Sequence, residues 1–314
     1  MHYQTNARAG SNDGEQSAPG TELPFRLKLL RQIGKQTWIP RGQDRLMRAI
    51  WDPDTSPSFP FEVEFFGMTY GGDLARFIDW SVFAYGSYAY AELSLLEALA
   101  AEIRTKRGHV FFFDVGANVG HHSLFMAGRS DAVIAFEPFP PLQQLIRQKS
   151  DRNGLKHLRI VPYALGEANE NKAYYPGDEV NSGAGTFHRE GAESEHDAVT
   201  LEVRTGDALC EALKLPQIDL LKVDVEGYEP MVFRGLAERI QKDRPPILTE
   251  FSPRSEAEYK SESQFRKSFW EGAIFAEVFG RHGCAFELKP FVYGRSRELL
   301  ILPPEMAYFA ESRM

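Results

Sequence analysis

The sequence predicts an α/β fold in which helices cover both faces of a doubly wound, mostly parallel sheet. Three observations support this class. From residue 109 onwards, short apolar runs alternate with segments of helical spacing. The first run, "HVFFFDV", leads through a glycine-punctuated loop into a helical segment. Later apolar runs end in an acidic residue, at the strand ends where open α/β sheets bind their ligands.

The composition is that of a globular protein and disfavours several functional classes. Of the 314 residues, 43% are hydrophobic and 25% charged, a length that suits one large domain or two small ones. The net charge of −8 disfavours broad binding to nucleic acid. No apolar run approaches the roughly 20 residues that cross a bilayer, and the N-terminus lacks the apolar core of a signal peptide. The two cysteines, Cys210 and Cys284, suit a reducing compartment, so we expect a cytoplasmic protein.

Three regions are predicted along the chain. Residues 1–24 are polar and nearly free of large apolar side chains, and we expect them to form a disordered tail. Residues 25–84 are predicted to be an N-terminal extension, with one strand in "FEVEFFGMTYGG". The main domain is predicted to span residues 85–314 and to begin with a helix in "YAELSLLEALAAEIRTKRG".

The stretch "FFFDVGANVGHHS" is predicted to be a buried strand, a glycine loop and the start of a helix. Gly116 and Gly120 allow a tight turn and a close approach of the backbone to a ligand. The helix that follows aims its first backbone N–H groups at such a ligand. The dinucleotide fingerprint G-x-G-x-x-G is missing, because Asn118 stands where its second glycine would be.

The next predicted strand, "DAVIAFEP", ends in Glu137. An acid at this position can accept hydrogen bonds from both hydroxyls of a ribose. The expected ligand therefore has a ribose but no pyrophosphate, and S-adenosyl-L-methionine meets both conditions. The alternative is that Glu137 is a solvated strand end and the glycines are a simple turn, but the order and spacing of the signals favour the cofactor. We expect Glu137→Ala to weaken cofactor binding at least tenfold while barely moving the melting temperature of the ligand-free protein.

A polar, glycine-rich interruption near residues 167–198 follows a third strand in "LRIVPYALG". We interpret it as an inserted hairpin. Two short strand-like pieces lie in it, around residues 173–175 and 185–188.

A later strand, "IDLLKVDV", carries charges that are costly to bury unless they are paired. Lys222 is predicted to form an ion pair with a nearby carboxylate, with Glu250 as the candidate. Asp224 and Glu226 bracket the strand tip, and they share one face if the extended geometry persists. A divalent metal site is the weaker alternative for the two acids, because no further ligand follows at a diagnostic spacing.

Five stretches, in this order, resemble the FkbM-type methyltransferase family: "FFFDVGANVGHHS", "IAFEPFP", "VPYALGE", "IDLLKVDVEGYE" and "PPILTEF". The similarity covers approximately residues 85–255. It implies the class I methyltransferase fold, a Rossmann-like doubly wound sheet of seven strands, mostly parallel with an antiparallel C-terminal hairpin. It also implies that S-adenosyl-L-methionine is the cofactor, mostly for O-methylation of natural products or sugars.

The resemblance also implies which residues form the site. The cofactor-binding residues are expected to be Asp114, Gly116, Asn118, Gly120, Glu137 and Ala164. Asp224 and Glu226 match the acids after the fourth strand, and we expect them, together with His121, to be catalytic. The general base is open among His121, His122, Asp224, Glu226 and Tyr228, and the two histidines stand where the family frequently has aromatic residues.

The expected function is therefore methyl transfer to a hydroxyl of a small-molecule, sugar or lipid acceptor, with no metal, no nucleic-acid partner and no membrane span. Two other classes stay open. One is a non-catalytic adenosine-binding module. The other is a nicotinamide oxidoreductase, which the missing G-x-G-x-x-G disfavours.

Overall fold

The computed structural model of the chain describes residues 23–34, 43–176, 185–187, 198–280 and 285–314. The predicted disordered tail therefore lies outside the described residues, apart from Leu23 and Pro24. Much of the predicted insert lies outside them as well.

Within the described residues, four helices and one hairpin precede the main sheet: α1 (Phe25–Gly34), α2 (Gln43–Ile50), β1 (Pro60–Phe65), β2 (Met68–Asp73), α3 (Phe77–Tyr85) and α4 (Tyr90–Arg107). The prediction of one strand in "FEVEFFGMTYGG" is wrong. Phe66 (φ 50°) and Gly67 (φ 85°) turn the chain, so β1 and β2 pair as an antiparallel hairpin. The predicted helix α4 is confirmed and ends at Gly108, whose left-handed backbone (φ 76°) is the conformation that glycine adopts most easily.

These first elements share a hydrophobic cluster with the rest of the chain. Leu27 and Leu30 of α1 belong to the same buried cluster as Phe112, which lies in the first strand of the main sheet. A buried polar contact reinforces the packing, because Asp79 of α3 accepts a hydrogen bond from the Tyr70 hydroxyl at 2.7 Å. The division of the chain at residue 85 stays a prediction.

From residue 111, strands and helices alternate as the sequence predicts. The elements are β3 (Phe111–Val115), α5 (His121–Ala127), β4 (Ala132–Phe136), α6 (Pro140–Arg152), β5 (Leu158–Val161), β6 (Ala164–Leu165), β7 (Glu170–Tyr174), β8 (Val199–Arg204), α7 (Gly206–Ala212), β9 (Leu220–Val223), α8 (Glu229–Gly235), α9 (Ala237–Asp243), β10 (Ile247–Glu250), α10 (Pro253–Ala257), α11 (Glu262–Arg266), β11 (Ile274–Phe279), β12 (Glu287–Pro290), β13 (Glu298–Leu302) and α12 (Ala307–Glu311). Within the described part of the chain, no helix combines the length and apolar composition that crossing a membrane requires.

The central sheet has eight strands in the order β12-β11-β13-β10-β9-β3-β4-β5. The five strands from β10 to β5 run parallel, and β13, β11 and β12 add an antiparallel end. This is the class I methyltransferase arrangement with β12 as an additional edge strand, so the predicted fold class is confirmed. Strand order reverses at β3, and the crevice beside such a switch point is where open α/β sheets bind ligands.

The third predicted strand is divided between two sheets. β5 lies in the central sheet, whereas β6 belongs to a three-stranded sheet of order β6-β8-β7. Of the two strand-like pieces predicted in the insert, the first lies in β7, which pairs with β8. The second supplies Thr186, which forms an isolated bridge with Tyr175. We call the three-stranded sheet β6-β8-β7 the small sheet.

Candidate active site

A cavity with about 940 Å³ of empty space, part of it open to solvent, lies where the carboxyl ends of β3 and β9 meet. The structure brings seven of the nine predicted site residues to its wall: Gly116, Asn118, His121, Glu137, Ala164, Asp224 and Glu226. The other two, Asp114 and Gly120, do not line it. Asp114 is buried at the end of β3, so it supports the wall from behind.

The two loop glycines are required by packing. Both have positive φ, 81° for Gly116 and 79° for Gly120. A Cβ on Gly116 would overlap the backbone carbonyl oxygen of Asp224, and one on Gly120 would lie 2.9 Å from Ile146. The sequence suggested that these glycines let the backbone approach a ligand. The structure shows that they also let the loop pack against the tip of β9 and against α6, and the close approach to a ligand stays a prediction.

Glu137 ties the glycine loop to the end of β4. Its Oε2 accepts a hydrogen bond from the Asn118 N–H at 2.8 Å, and its Oε1 accepts one from the Phe139 N–H at 2.9 Å. Burial raises the pKa of Glu137 to about 8, although the two backbone donors act in the opposite direction. Each carboxylate oxygen keeps a lone pair for one further donor, such as a ligand hydroxyl.

Asp114 offers a second acceptor at the foot of the loop. Its Oδ2 accepts a hydrogen bond from the Ser123 hydroxyl at 2.6 Å. Its Oδ1 is buried and has no hydrogen-bond partner among the described residues. An unsatisfied buried acceptor costs free energy, so this atom favours a donor from outside the chain, bound directly or through a water.

The predicted ion pair of Lys222 with a nearby carboxylate is confirmed, but the partner is Asp224 and the suggested partner Glu250 is wrong. Its Nζ donates a hydrogen bond to Oδ2 of Asp224 at 2.9 Å. The two residues lie only two positions apart along the chain. Burial acts to lower the pKa of Lys222, but the surrounding carboxylates, Asp224 first, raise it above its ordinary value. Burial acts to raise the pKa of Asp224, but the Lys222 ammonium holds it below its ordinary value, so Asp224 is a weak base.

The expectation that Asp224 and Glu226 share one face through extended geometry is wrong. β9 ends at Val223, and Glu226 has a left-handed backbone (φ 53°). Both acids reach the cavity through the turn instead. Burial, and then the Asp224 carboxylate, raise the pKa of Glu226 to about 7, so this carboxyl titrates close to neutrality.

Two further acids face each other across β10 and β13. Glu250 and Glu298 are direct partners in the antiparallel register. Burial and then the Asp224 carboxylate raise the pKa of Glu250 to about 8. Burial and then the Glu92 carboxylate raise the pKa of Glu298 well above its ordinary value. Among the residues that the structure describes, no group of three or more His, Cys, Asp and Glu side chains is arranged to hold a metal ion.

The adjacent histidines have different surroundings. Nε2 of His121 accepts a hydrogen bond from the Tyr88 backbone N–H at 3.3 Å, and its ring lies 5.3 Å from that of Phe65. Burial, and then the neighbouring His122, hold the pKa of His121 well below its usual range, so His121 is a weak base. Nε2 of His122, in contrast, lies 3.1 Å from Oε2 of Glu92. Sequence reasoning missed Glu92 because it lies on α4, far from His122 along the chain.

Aromatic side chains close the cavity towards the small sheet. The rings of Tyr174, Phe187 and Tyr228 follow one another with centroid distances of 5.2 and 5.0 Å, and we call this set the aromatic wall. Nζ of Lys172 lies 4.6 Å from the Tyr228 ring centroid and donates a hydrogen bond to its hydroxyl at 3.1 Å. Such rings offer flat apolar surfaces against which a ring-shaped ligand can pack.

Comparison with known proteins identifies related chains. The family model described as the methyltransferase FkbM domain matches residues 114–276, more than half of the chain. Hexuronic acid methyltransferase AglP of Haloferax volcanii is 29% identical over 131 residues, which cover 41% of this chain and 51% of that protein. Methyltransferase 1 of Beauveria bassiana is 29% identical over 147 residues, covering 40% of this chain and 58% of that protein. The chain thus spans about half the length of these curated relatives.

One solved structure is similar over a larger part of the chain. The methyltransferase FkbM from Methylobacillus flagellatus KT aligns with 62% of this chain and 44% of its own, at 16% identity and a TM-score of 0.42.

Proposed function

Because this chain belongs to the FkbM methyltransferase family, we propose that it transfers the methyl group of S-adenosyl-L-methionine to a hydroxyl of a small molecule, sugar or lipid. The observation that carries the proposal is the position of the Glu137 carboxyl group. Its carboxyl group is buried in the wall of the switch-point cavity, is held by two backbone N–H groups, and keeps lone pairs for two more donors.

The residues of the cavity fit this cofactor. Glu137 suits the two ribose hydroxyls, and the unpartnered Oδ1 of Asp114, which lies behind the wall, suits the ammonium group of the amino-acid tail through a bridging water. Asp224, ionised and partly open to the cavity, suits a positive charge on sulfur. When bound, S-adenosyl-L-methionine supplies a reactive methyl group on that cationic sulfur.

The remaining residues suit an acceptor that carries no negative charge. Asp224 and Glu226 are acids on the wall, and Lys222, a lysine among its described residues, is already paired with Asp224. A carboxylate on the acceptor would be repelled by the acids at this end of the cavity. The aromatic wall would cover a ring of the acceptor and exclude water while the hydroxyl is held at attack distance.

We propose small partners and a cytoplasmic location. The net charge of −8 disfavours nucleic acid. The sparse cysteines, of which Cys210 is buried and free, suit a reducing compartment.

The proposal is tested by binding and transfer measurements on the full chain. Calorimetry should show that S-adenosylhomocysteine binds, and a fluorescence titration should show that NADH does not. The protein is then incubated with methyl-labelled S-adenosyl-L-methionine and neutral sugars, hexuronic acids, lipids and polyketides, and the products are read by mass spectrometry. We expect label on a hydroxyl of an uncharged acceptor.

The contrary results have different consequences for the proposed function. Binding of S-adenosylhomocysteine without transfer to any acceptor would favour a non-catalytic adenosine-binding module. Binding of NADH without binding of S-adenosylhomocysteine would favour an oxidoreductase. Preferential labelling of hexuronic acids would contradict the inference about acceptor charge, while the methyltransferase activity would stand.

A further inference from the structure

His122 and Glu92 form a histidine–carboxylate pair in the cavity wall. His122 lies in the first turn of α5 and is 7% exposed, and Glu92 lies in the first turn of α4. Nε2 of His122 is buried 3.1 Å from Oε2 of Glu92, within ion-pair distance but short of a formed hydrogen bond. Catalytic pairs in ligand-free structures are often misaligned in this way and tighten when the substrate binds.

Nδ1, the second ring nitrogen of His122, is the atom available to accept a proton. Among the residues that the structure describes, none forms a hydrogen bond with Nδ1. If Nε2 carries the proton and faces Glu92, Nδ1 of the neutral ring has a free lone pair. His122 lines the cavity, so a bound acceptor can meet this nitrogen.

The other candidate bases are less suitable. Asp224 is engaged by Lys222, which lowers its pKa. His121 has Nε2 occupied by a backbone N–H and a pKa well below its usual range. Glu226 titrates near neutrality and also lines the cavity, so it is the competing base that the experiments below must distinguish from His122.

We propose that His122 is the general base of methyl transfer and that Glu92 is its positioning residue, an inference that rests on the proposed function. The acceptor oxygen bonds to the methyl carbon while the carbon–sulfur bond breaks. The electron pair of the carbon–sulfur bond goes to sulfur. The hydroxyl proton passes to Nδ1 of His122. The Nε2–H then faces the Glu92 carboxylate, which stabilises the imidazolium as in other histidine–carboxylate pairs. Water removes the proton after transfer.

The charges around His122 favour this role. Glu92 faces it from α4, Asp224 faces it from the tip of β9, and His121 packs beside it on α5 with a ring centroid distance of 4.9 Å. His121 is neutral, and Lys222 is paired with Asp224. Among the described residues, the Glu92 carboxylate is therefore the closest charged group to the His122 ring that has no paired countercharge. It is thus the group placed to orient the ring.

The kinetic test compares His122→Gln, Glu92→Gln and Glu92→Asp with the parent, using the acceptor found above. We expect His122→Gln to lower kcat by a factor of about a hundred to ten thousand, with unchanged affinity for S-adenosylhomocysteine. Glu92→Gln should lower kcat by less, and Glu92→Asp should recover part of the loss. The fall of kcat on the acid side of the pH profile should disappear in His122→Gln. His109→Gln, which changes a histidine away from the cavity, is the matched control.

A second readout does not require an acceptor. Nitrogen-15 NMR of the histidine rings in the full chain with S-adenosylhomocysteine bound should show neutral His122 with its proton on Nε2, and Glu92→Gln should weaken that preference. A neutral ring protonated on Nδ1, or turnover of His122→Gln at the parent rate, would overturn the proposal. Loss of the acid limb in Glu226→Gln but not in His122→Gln would overturn it in favour of Glu226. Failure of S-adenosylhomocysteine to bind the parent would instead refute the proposed function.

Discussion

Replacing Glu137 with glutamine is expected to weaken binding of S-adenosylhomocysteine at least tenfold. The ribose hydroxyls would donate to a carboxylate, and hydrogen bonds to charged groups contribute about 1.5–3 kcal/mol each. Glutamine keeps one acceptor oxygen and replaces the other with an NH₂ group, which cannot accept. Calorimetry measures the change, with Glu97→Gln, an exposed acid paired with Arg129, as the matched control. Equal affinities of Glu137→Gln and the parent would remove Glu137 from the cofactor site.

The same carboxyl group should make binding depend on pH. Burial raises the pKa of Glu137 to about 8, and only the ionised form can accept from both backbone N–H groups and both hydroxyls. Affinity should therefore rise with pH between about pH 6 and pH 9, with a loss of up to about tenfold for each unit below the pKa. The ratio of parent to Glu137→Gln affinities cancels the ligand's own titration. A ratio that does not change with pH would contradict this assignment.

Glu137 is also expected to contribute to the stability of the ligand-free protein, whereas the sequence alone predicted almost no change in melting temperature. Its carboxylate accepts from the backbone of both Asn118 and Phe139. Removing one buried acceptor leaves a donor unsatisfied, which costs about 1–3 kcal/mol. The variant should therefore melt at a lower temperature even without ligand, and its affinity must be measured well below that temperature.

Replacing Asp224 with asparagine is expected to lower the free energy of unfolding by about 3 kcal/mol, because it leaves the Lys222 ammonium buried without its nearest counterion. Only 3% of the Lys222 side chain is exposed, against 41% of that of Asp224. The value lies at the low end for a broken buried pair because Asp224 is partly solvated and because Asp114 and Glu92 also act on the lysine. Urea denaturation measures the change.

A double-mutant cycle isolates the ion pair. Lys222→Met combined with Asp224→Asn should be less destabilised than the sum of the two single variants. Glu305→Gln breaks an exposed pair with Arg244 and should cost less than about 1 kcal/mol. Additive effects of Lys222→Met and Asp224→Asn would mean that the two side chains do not interact. Rates of Asp224→Asn are to be compared only where the variant is fully folded.

The sequence by itself determined the features that depend on consecutive residues. The apolar runs of β3 and β4, the glycine loop and the acid at the tip of β4 were all predicted, because a buried strand, a tight turn and a strand end each have a local signature. The motifs that these elements carry, in their order along the chain, also resembled the FkbM-type methyltransferase family. For the same reason, most of the predicted site residues lie on one cavity, since the carboxyl ends of parallel strands meet at one edge of the sheet.

Only the tertiary structure decided which side chains meet. Lys222 pairs with Asp224 and not with Glu250, Gly116 is required by the carbonyl of Asp224, and Glu92 reaches His122 from another helix. Each of these contacts depends on distances of a few ångströms between chemically similar candidates. No spacing along the chain encodes such distances, because they arise when distant elements pack against one another.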